Sequence, residues 1–222
     1  METTQKPRVT PKDFFLWLGA MAALYVATVS LITLLFQYIN ILFPSALEYS
    51  DAYSGAIRFS IAALVVVFPL FIFLMRVLHQ ALRKHPEKKE LWVRKWLIFL
   101  TLFIAGVTIA IDLIVLVNTF LNGDLSSRFL WKALTILVVI GAGFLYYAYE
   151  LKGRWEQNAK QSVTIAGLVS AVVIVAIVSG FFLIGSPTAQ RLERLDAEKV
   201  NDLSNIQSQI VSFWQADRKS VV

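Results

Sequence analysis

The sequence predicts an all-α membrane protein, in which a bundle of five transmembrane helices is followed by an amphipathic helix outside the cytoplasm. Its 222 residues are 57% hydrophobic with a mean hydropathy of +0.64, whereas soluble domains are roughly 45–50% apolar. These residues are gathered into long uncharged runs, and Lys and Arg collect in alternate connections between them. A charged segment with one apolar face follows the last run.

Five apolar segments are long enough to cross a bilayer as helices, which takes roughly 17–25 residues. The runs are too long for barrel strands and lack their alternation. Residues 1–13 are polar and basic, but the run after them exceeds the roughly 7–15 residues of a signal-peptide core. We therefore expect it to stay in the membrane, and we expect Pro69 to kink the second helix. The spans are predicted at residues 14–43, 57–78, 92–121, 129–150 and 163–185.

Basic residues predict the orientation. The N-terminal segment, the connection of residues 76–95 and the connection of residues 152–160 are all basic. With five spans, these three regions share one side, while the poorly basic connections 44–55 and 122–128 lie on the other. Cytoplasmic loops carry the excess of Lys and Arg. The N-terminus is therefore expected in the cytoplasm, and residues 186–222 are expected outside it.

Composition argues against several kinds of chemistry. The chain has no Cys, which excludes disulfides, thiolate metal sites and a Cys nucleophile. His79 and His85 flank a basic connection rather than lying at membrane depth, so a haem held by His is not expected. Intramembrane proteolysis needs a Ser-His pair, two Asp residues or a zinc motif. We expect no enzyme activity, no cofactor and no bound metal, and we attribute the net charge of +6 to topology rather than nucleic-acid binding.

Asp112 is the acidic residue well inside a predicted span, and such residues are often functional. Polar residues on its helix face, and others along the outer half of the first helix, could together line a wet cavity open to the outside. These residues are Thr101, Thr108 and Thr119 in the third helix, and Ser30, Thr33, Gln37 and Asn40 in the first.

Three roles for Asp112 stay open. It could form a structural ion pair with Arg58 or with Lys132, which would fix the helix register without transport. It could carry a proton or an ion, or it could contact a ligand. The structural pair is the interpretation we favour from the sequence.

Small residues four apart let helix backbones approach closely. Such spacing is common in apolar helices, so it predicts packing within the bundle rather than a dedicated dimer face. The spacing occurs at Gly19, Ala23 and Ala27, at Gly167 and Ala171, at Ala166 and Ser170, and at Ala176 and Gly180.

The tail is predicted to be one helix that starts at Ser186 and Pro187 and runs to about Trp214. An apolar stripe at helical spacing follows its charged first part. The stripe could rest on the bundle or the outer membrane surface, or it could bind a second copy or another membrane protein. It comprises Val200, Leu203, Ile206, Ile210, Phe213 and Trp214.

Residues 191–210 resemble the segment after the hydrophobic half of the first helix in bacterial type IV pilin-like proteins. The matching residues are Arg194, Asp196, Val200, Asp202, Leu203, Ile206 and Gln207. The whole chain resembles an uncharacterised bacterial multi-pass membrane-protein family, a domain of unknown function, which implies the bacterial inner membrane. No prepilin-peptidase motif precedes the fifth run, so the pilin resemblance implies only a helix that packs against other helices.

A non-enzymatic protein that scaffolds or docks partners, through the tail and the bundle surface, is the leading functional hypothesis. The alternatives are a small channel or transporter component that uses Asp112 and a membrane sensor whose tail reports on the extracytoplasmic space.

Overall fold

A computed structural model describes residues 10–44, 55–84, 91–123, 126–153, 159–184 and 187–220. Over these residues all regular secondary structure is helical, without strands. The six helices are α1 (Pro11–Leu42), α2 (Gly55–Lys84), α3 (Trp92–Leu121), α4 (Ser127–Leu151), α5 (Ala159–Ile184) and α6 (Pro187–Ser220).

Helices α1 to α5 are each long and apolar enough to cross a membrane. Their most apolar windows have mean hydropathies between 1.9 and 2.7. Most of their large apolar side chains are exposed in the single chain, as expected where lipid replaces water around a helix. The chain is therefore a multi-pass membrane protein, and the predicted all-α class is confirmed.

The observed helices differ from the predicted spans chiefly at α2. The second span was predicted over residues 57–78, and the helix that contains it continues to Lys84. Arg83 and Lys84 lie in its last turn, where cations suit the negative end of the helix dipole. Pro69 lies inside this helix and does not end it. The predicted cap residue Ser186 lies outside the described residues.

Local capping explains where α1 begins. The Thr10 side chain accepts a hydrogen bond from the Asp13 backbone N–H at 3.2 Å, and its hydroxyl donates to the Asp13 carboxylate at 2.8 Å. Pro11 occupies the first turn, where its missing N–H costs nothing. The helix consequently starts three residues before the apolar run at Phe14.

The core lies at the proximal end of the bundle, where α1 and α3 begin and α2 and α4 end. A partly buried hydroxyl pair joins α1 and α3 there, with the Tyr25 and Thr101 oxygens 2.7 Å apart. Helix α1 is central, because it contacts α2, α3 and α4. The buried cluster consists of Trp17, Ala20, Met21, Leu78, Val93, Leu97, Ile98 and Tyr147.

Some of the predicted small-residue pairs pack closely and others do not. Ala23 and Ala27 are buried within the bundle, as are Ala176 and Gly180. Gly167, by contrast, has no heavy atom near the position that a Cβ would take. Packing within the bundle is therefore confirmed for part of the pattern.

The chain divides into two compact units, Met1–Phe181 and Phe182–Val222. The first holds the bundle. The second consists mainly of α6, which begins at Pro187, as predicted, and extends beyond Trp214 to Ser220.

Candidate functional site

Asp112 lies on a stretch of α3 that no other described helix buries. It precedes the end of the helix at Asn122 by about 15 Å, at roughly 1.5 Å per residue. The buried residues of α3 all come from its first ten positions, the last of them being Thr101. From residue 102 to residue 121 every described side chain is at least partly exposed.

The Asp112 side chain opens into a cleft of about 270 Å³ between α3 and α4. The second polar residue in the cleft is Thr108, whose hydroxyl donates to the Ile104 carbonyl of its own helix at 2.9 Å. The other lining residues are apolar. The full lining is Thr108, Ile111, Asp112 and Val115 from α3, and Phe129, Ala133 and Ile136 from α4.

Within the described part of the chain, the Asp112 carboxylate has neither a hydrogen bond nor an ion pair. The predicted pairing with Arg58 or Lys132 is therefore not among the contacts of the described residues. Lys132 precedes the cleft residue Ala133 on α4. Because successive residues of a helix point about 100° apart, Lys132 does not point into the cleft as Ala133 does. Its ammonium lies 5.6 Å from the ring centroid of Phe36 on α1 instead.

The polar residues of α1 form a separate group at the distal end of the bundle, which is the end where α1 and α3 end and α2 and α4 begin. The Asn40 amide donates to the Gln37 side-chain oxygen at 3.3 Å, and the Arg128 guanidinium donates to the Asn40 side-chain oxygen at 2.8 Å. The Thr33 hydroxyl donates to the Val29 carbonyl within its own helix. None of these residues lines the Asp112 cleft as the structure describes it, so this cleft is not the predicted shared cavity.

The third helix does not keep its polar residues together either. Thr101 is buried against Tyr25 in the core, and Ser30 of α1 is also buried. Thr119 lies outside the Asp112 cleft, although seven positions place it on the same face of α3 as Asp112. Two of the four predicted α3 residues, Thr108 and Asp112, therefore share a cavity.

A charged contact at the proximal end was missed by the sequence reasoning. Arg94, at the start of α3, forms an ion pair with Glu150, at the end of α4. Its guanidinium also lies 5.9 Å from the ring centroid of Trp17. The sequence signal for this pair was an acidic residue, Glu150, in the last turn of α4 and a basic residue, Arg94, in the first turn of α3. Antiparallel packing of the two helices brings these turns together.

The apolar stripe of α6 is exposed within its own compact unit. Each of its six residues, Val200, Leu203, Ile206, Ile210, Phe213 and Trp214, is more than half exposed, and these six residues are called the α6 stripe below. Leu192 and Leu195 extend the same face toward the helix start, which the sequence reasoning missed. Between them and the stripe, an ion pair of 3.2 Å joins Lys199 to Asp196.

The arrangement offers little acid–base or metal chemistry. Among the described residues, no group of three His, Asp or Glu side chains could hold a metal ion. The Asp112 cleft contains a single titratable side chain. What it can offer chemically is one negative charge or one hydrogen-bonding carboxyl in apolar surroundings.

Comparison with known proteins identifies the family. No curated protein and no solved structure matches the chain significantly. A family model described as a domain of unknown function, DUF5671, matches residues 13–147, which include nearly all of α1, the whole of α2 and α3, and the Asp112 cleft. The pilin-like segment lies outside this match, so that resemblance stays a prediction. Because the match spans more than half of the 222 residues, the chain belongs to the family of the domain of unknown function DUF5671.

Proposed function

We propose that this chain is a non-enzymatic membrane protein that docks another membrane protein through the α6 stripe. The observation that carries the proposal is a row of exposed apolar side chains on a helix that is otherwise polar. Exposed apolar faces of this kind mark sites of protein or membrane association. The large aromatic side chains Phe213 and Trp214 are of the type that anchors interfaces.

A protein partner fits this face better than a lipid surface does. Helices that lie in the membrane interface are typically rich in Lys and Arg on their polar face. Residues 200–214 contain one charged side chain, Asp202, and no cation. The polar face instead offers Asn, Ser and Gln, which suit the hydrogen-bonded rim of a protein interface.

The proposal includes a location and an orientation. An odd number of spans puts the N-terminus and α6 on opposite sides, and the basic connections favour a cytoplasmic N-terminus. The resemblance to a bacterial family favours the inner membrane. The α6 stripe would then face the extracytoplasmic space, where it would meet an exposed part of a second membrane protein.

Crosslinking in native membranes tests the proposal with the full chain. The double variant Ile206→Asp, Ile210→Asp places two charges in the α6 stripe. The matched control, Asn201→Asp with Asn205→Asp, adds the same charge on the opposite face. We expect the unmodified chain and the control to give the same defined adduct and the stripe variant to lose it. An adduct equally strong in all three, or adducts made only of copies of this chain, would refute the proposal.

A further inference from the structure

The distal two thirds of α3 are incompletely covered and carry a carboxylate. Ile111 is 56% exposed and Val115 is 45% exposed, and both flank Asp112 in the cleft. A carboxylate that faces lipid at this depth is costly, and such residues almost always have a partner. No described residue of this chain supplies that partner.

The nearest candidate cation on the neighbouring helix is committed elsewhere. Ala133 lies in the cleft, so Lys132 sits at about the same depth as Asp112, yet its ammonium is over Phe36 on the α1 side of α4. Lys132 would need to leave that contact to reach the carboxylate. Asp112 and Lys132 therefore lie at a similar depth, but the Lys132 side chain is on the side of α4 that faces α1 and not on the side that faces Asp112.

The cleft itself suits a long side chain better than a bare ion. Its volume of about 270 Å³ exceeds that of any single side chain, and five of its seven lining residues are apolar. An alkyl stem that ends in a cation would place its methylenes against these walls and its charge at Asp112. A bare cation would want several oxygen ligands, whereas the cleft supplies one carboxylate and one hydroxyl that is bonded to its own helix.

We propose that Asp112 and the α3–α4 cleft form an intramembrane docking site for a transmembrane helix of another protein that carries a Lys or Arg at this depth. Thr119, on the same face of α3, supplies a second hydrogen-bonding group two turns away. This site lies in the bundle and rests on different observations from the α6 stripe. Refuting the proposal for one of the two sites would therefore leave the proposal for the other site unaffected.

A designed helix makes the proposal testable without knowing the natural partner. The full chain is reconstituted in phosphatidylcholine vesicles with a labelled leucine-rich transmembrane peptide that carries one Lys at the depth of Asp112. The matched peptide has Leu at that position, and a third peptide has Asn. Association is measured by energy transfer between labels on the chain and on the peptide.

We expect the Lys peptide to associate roughly tenfold more tightly than the Leu peptide, which is the scale of one good interhelical polar contact. Asp112→Asn should abolish this preference, and Asp112→Glu should retain it. In the double variant Asp112→Asn, Asn118→Asp, the carboxylate moves to a different face of α3, and the preference should stay lost.

Four results would overturn the proposal. The first is equal binding of the Lys and Leu peptides. The second is an Asn peptide that binds as well as the Lys peptide, which would mean that a hydrogen bond and not a charge is recognised. The third is a preference that follows the carboxylate to position 118, which would indicate general attraction. The fourth is energy transfer between copies of the chain that Asp112→Asn abolishes, which would make a second copy the occupant.

Discussion

The Tyr38 hydroxyl of α1 donates a 2.6 Å hydrogen bond to the Ala176 backbone carbonyl of α5. One turn further along α5, a Cβ at Gly180 would lie 2.8 Å from the same Tyr38 oxygen and would also contact Ile61 of α2. The absence of a side chain at Gly180 therefore lets α5 reach α1 and α2 in this region. Small residues allow such close approach between transmembrane helices.

Gly180→Ala should weaken the attachment of α5 by about 1–3 kcal/mol, the usual cost of overpacking a well-packed contact. The added methyl group would force Ile61 or Tyr38 to move. The change in the free energy of unfolding is measured on the full chain in bicelles by steric trapping. Gly167→Ala is the control, because nothing lies within 4 Å of its Cβ position. Equal effects of the two substitutions would contradict this packing.

The Arg94–Glu150 ion pair should stabilise the proximal end of the bundle. Its side chains are 15% and 25% exposed, so removing one partner leaves the other charge poorly solvated. We expect Glu150→Gln to lower the free energy of unfolding by about 2–3 kcal/mol, somewhat below the cost of breaking a fully buried pair.

A double-mutant cycle with Arg94→Gln isolates the pair from the other contacts of Arg94. The expected coupling is of the order of 1–2 kcal/mol. The exposed Lys199–Asp196 pair, with 72% and 73% exposure, should show almost no coupling in the same assay. A coupling for Arg94 and Glu150 no larger than that of the exposed pair would argue against a stabilising role.

Thr101→Val should destabilise the chain, because it removes the partner of the Tyr25 hydroxyl at a partly buried contact. A buried hydroxyl left unsatisfied costs about 1–3 kcal/mol. Thr108→Val is the matched control, because the Thr108 hydroxyl bonds only to the carbonyl of its own helix at Ile104. The two free energies of unfolding, measured under the same conditions, should differ by about 1 kcal/mol or more.

Cysteine accessibility tests the proposed orientation directly, since the natural chain contains no Cys that would give background labelling. A membrane-impermeant maleimide added to intact cells, or to spheroplasts where an outer membrane blocks it, should label Gln207→Cys in α6. Lys84→Cys, at the end of α2, should react only after the membrane is permeabilised. The reverse labelling pattern would mean that the topology is inverted. Labelling of both cysteines in intact cells would be inconsistent with three membrane spans between positions 84 and 207.

The helices could be predicted from the sequence because apolar length alone specifies a membrane span. The rotation of each helix about its own axis could not be predicted from the sequence, and this rotation decides which side chains neighbour Asp112. Helix α3 is apolar on most of its circumference, so its pattern does not say which face meets α4 and which meets lipid. The Lys132 ammonium, expected beside Asp112, lies 5.6 Å from the ring centroid of Phe36 on α1 instead.

The α6 stripe was predictable for a complementary reason. Its apolar residues stand out against a polar background, so the periodicity of 3.6 is visible without knowing the fold. The Arg94–Glu150 contact needed knowledge of which helices are neighbours, which only the packing reveals. Helix α2 is longer than the predicted span because charged residues such as Lys84 end an apolar run without ending a helix.

The most direct test of the docking role is photo-crosslinking along α6 in native membranes. A photoreactive amino acid is placed at each position from 200 to 214 of the full chain, one at a time. We predict that one defined adduct with another membrane protein recurs with helical periodicity, strongest at Leu203, Ile206, Ile210 and Phe213 and weakest at Asn201 and Asn205. Yields that are flat along the helix, or that peak on the polar face, would contradict the assignment of the α6 stripe as the docking surface.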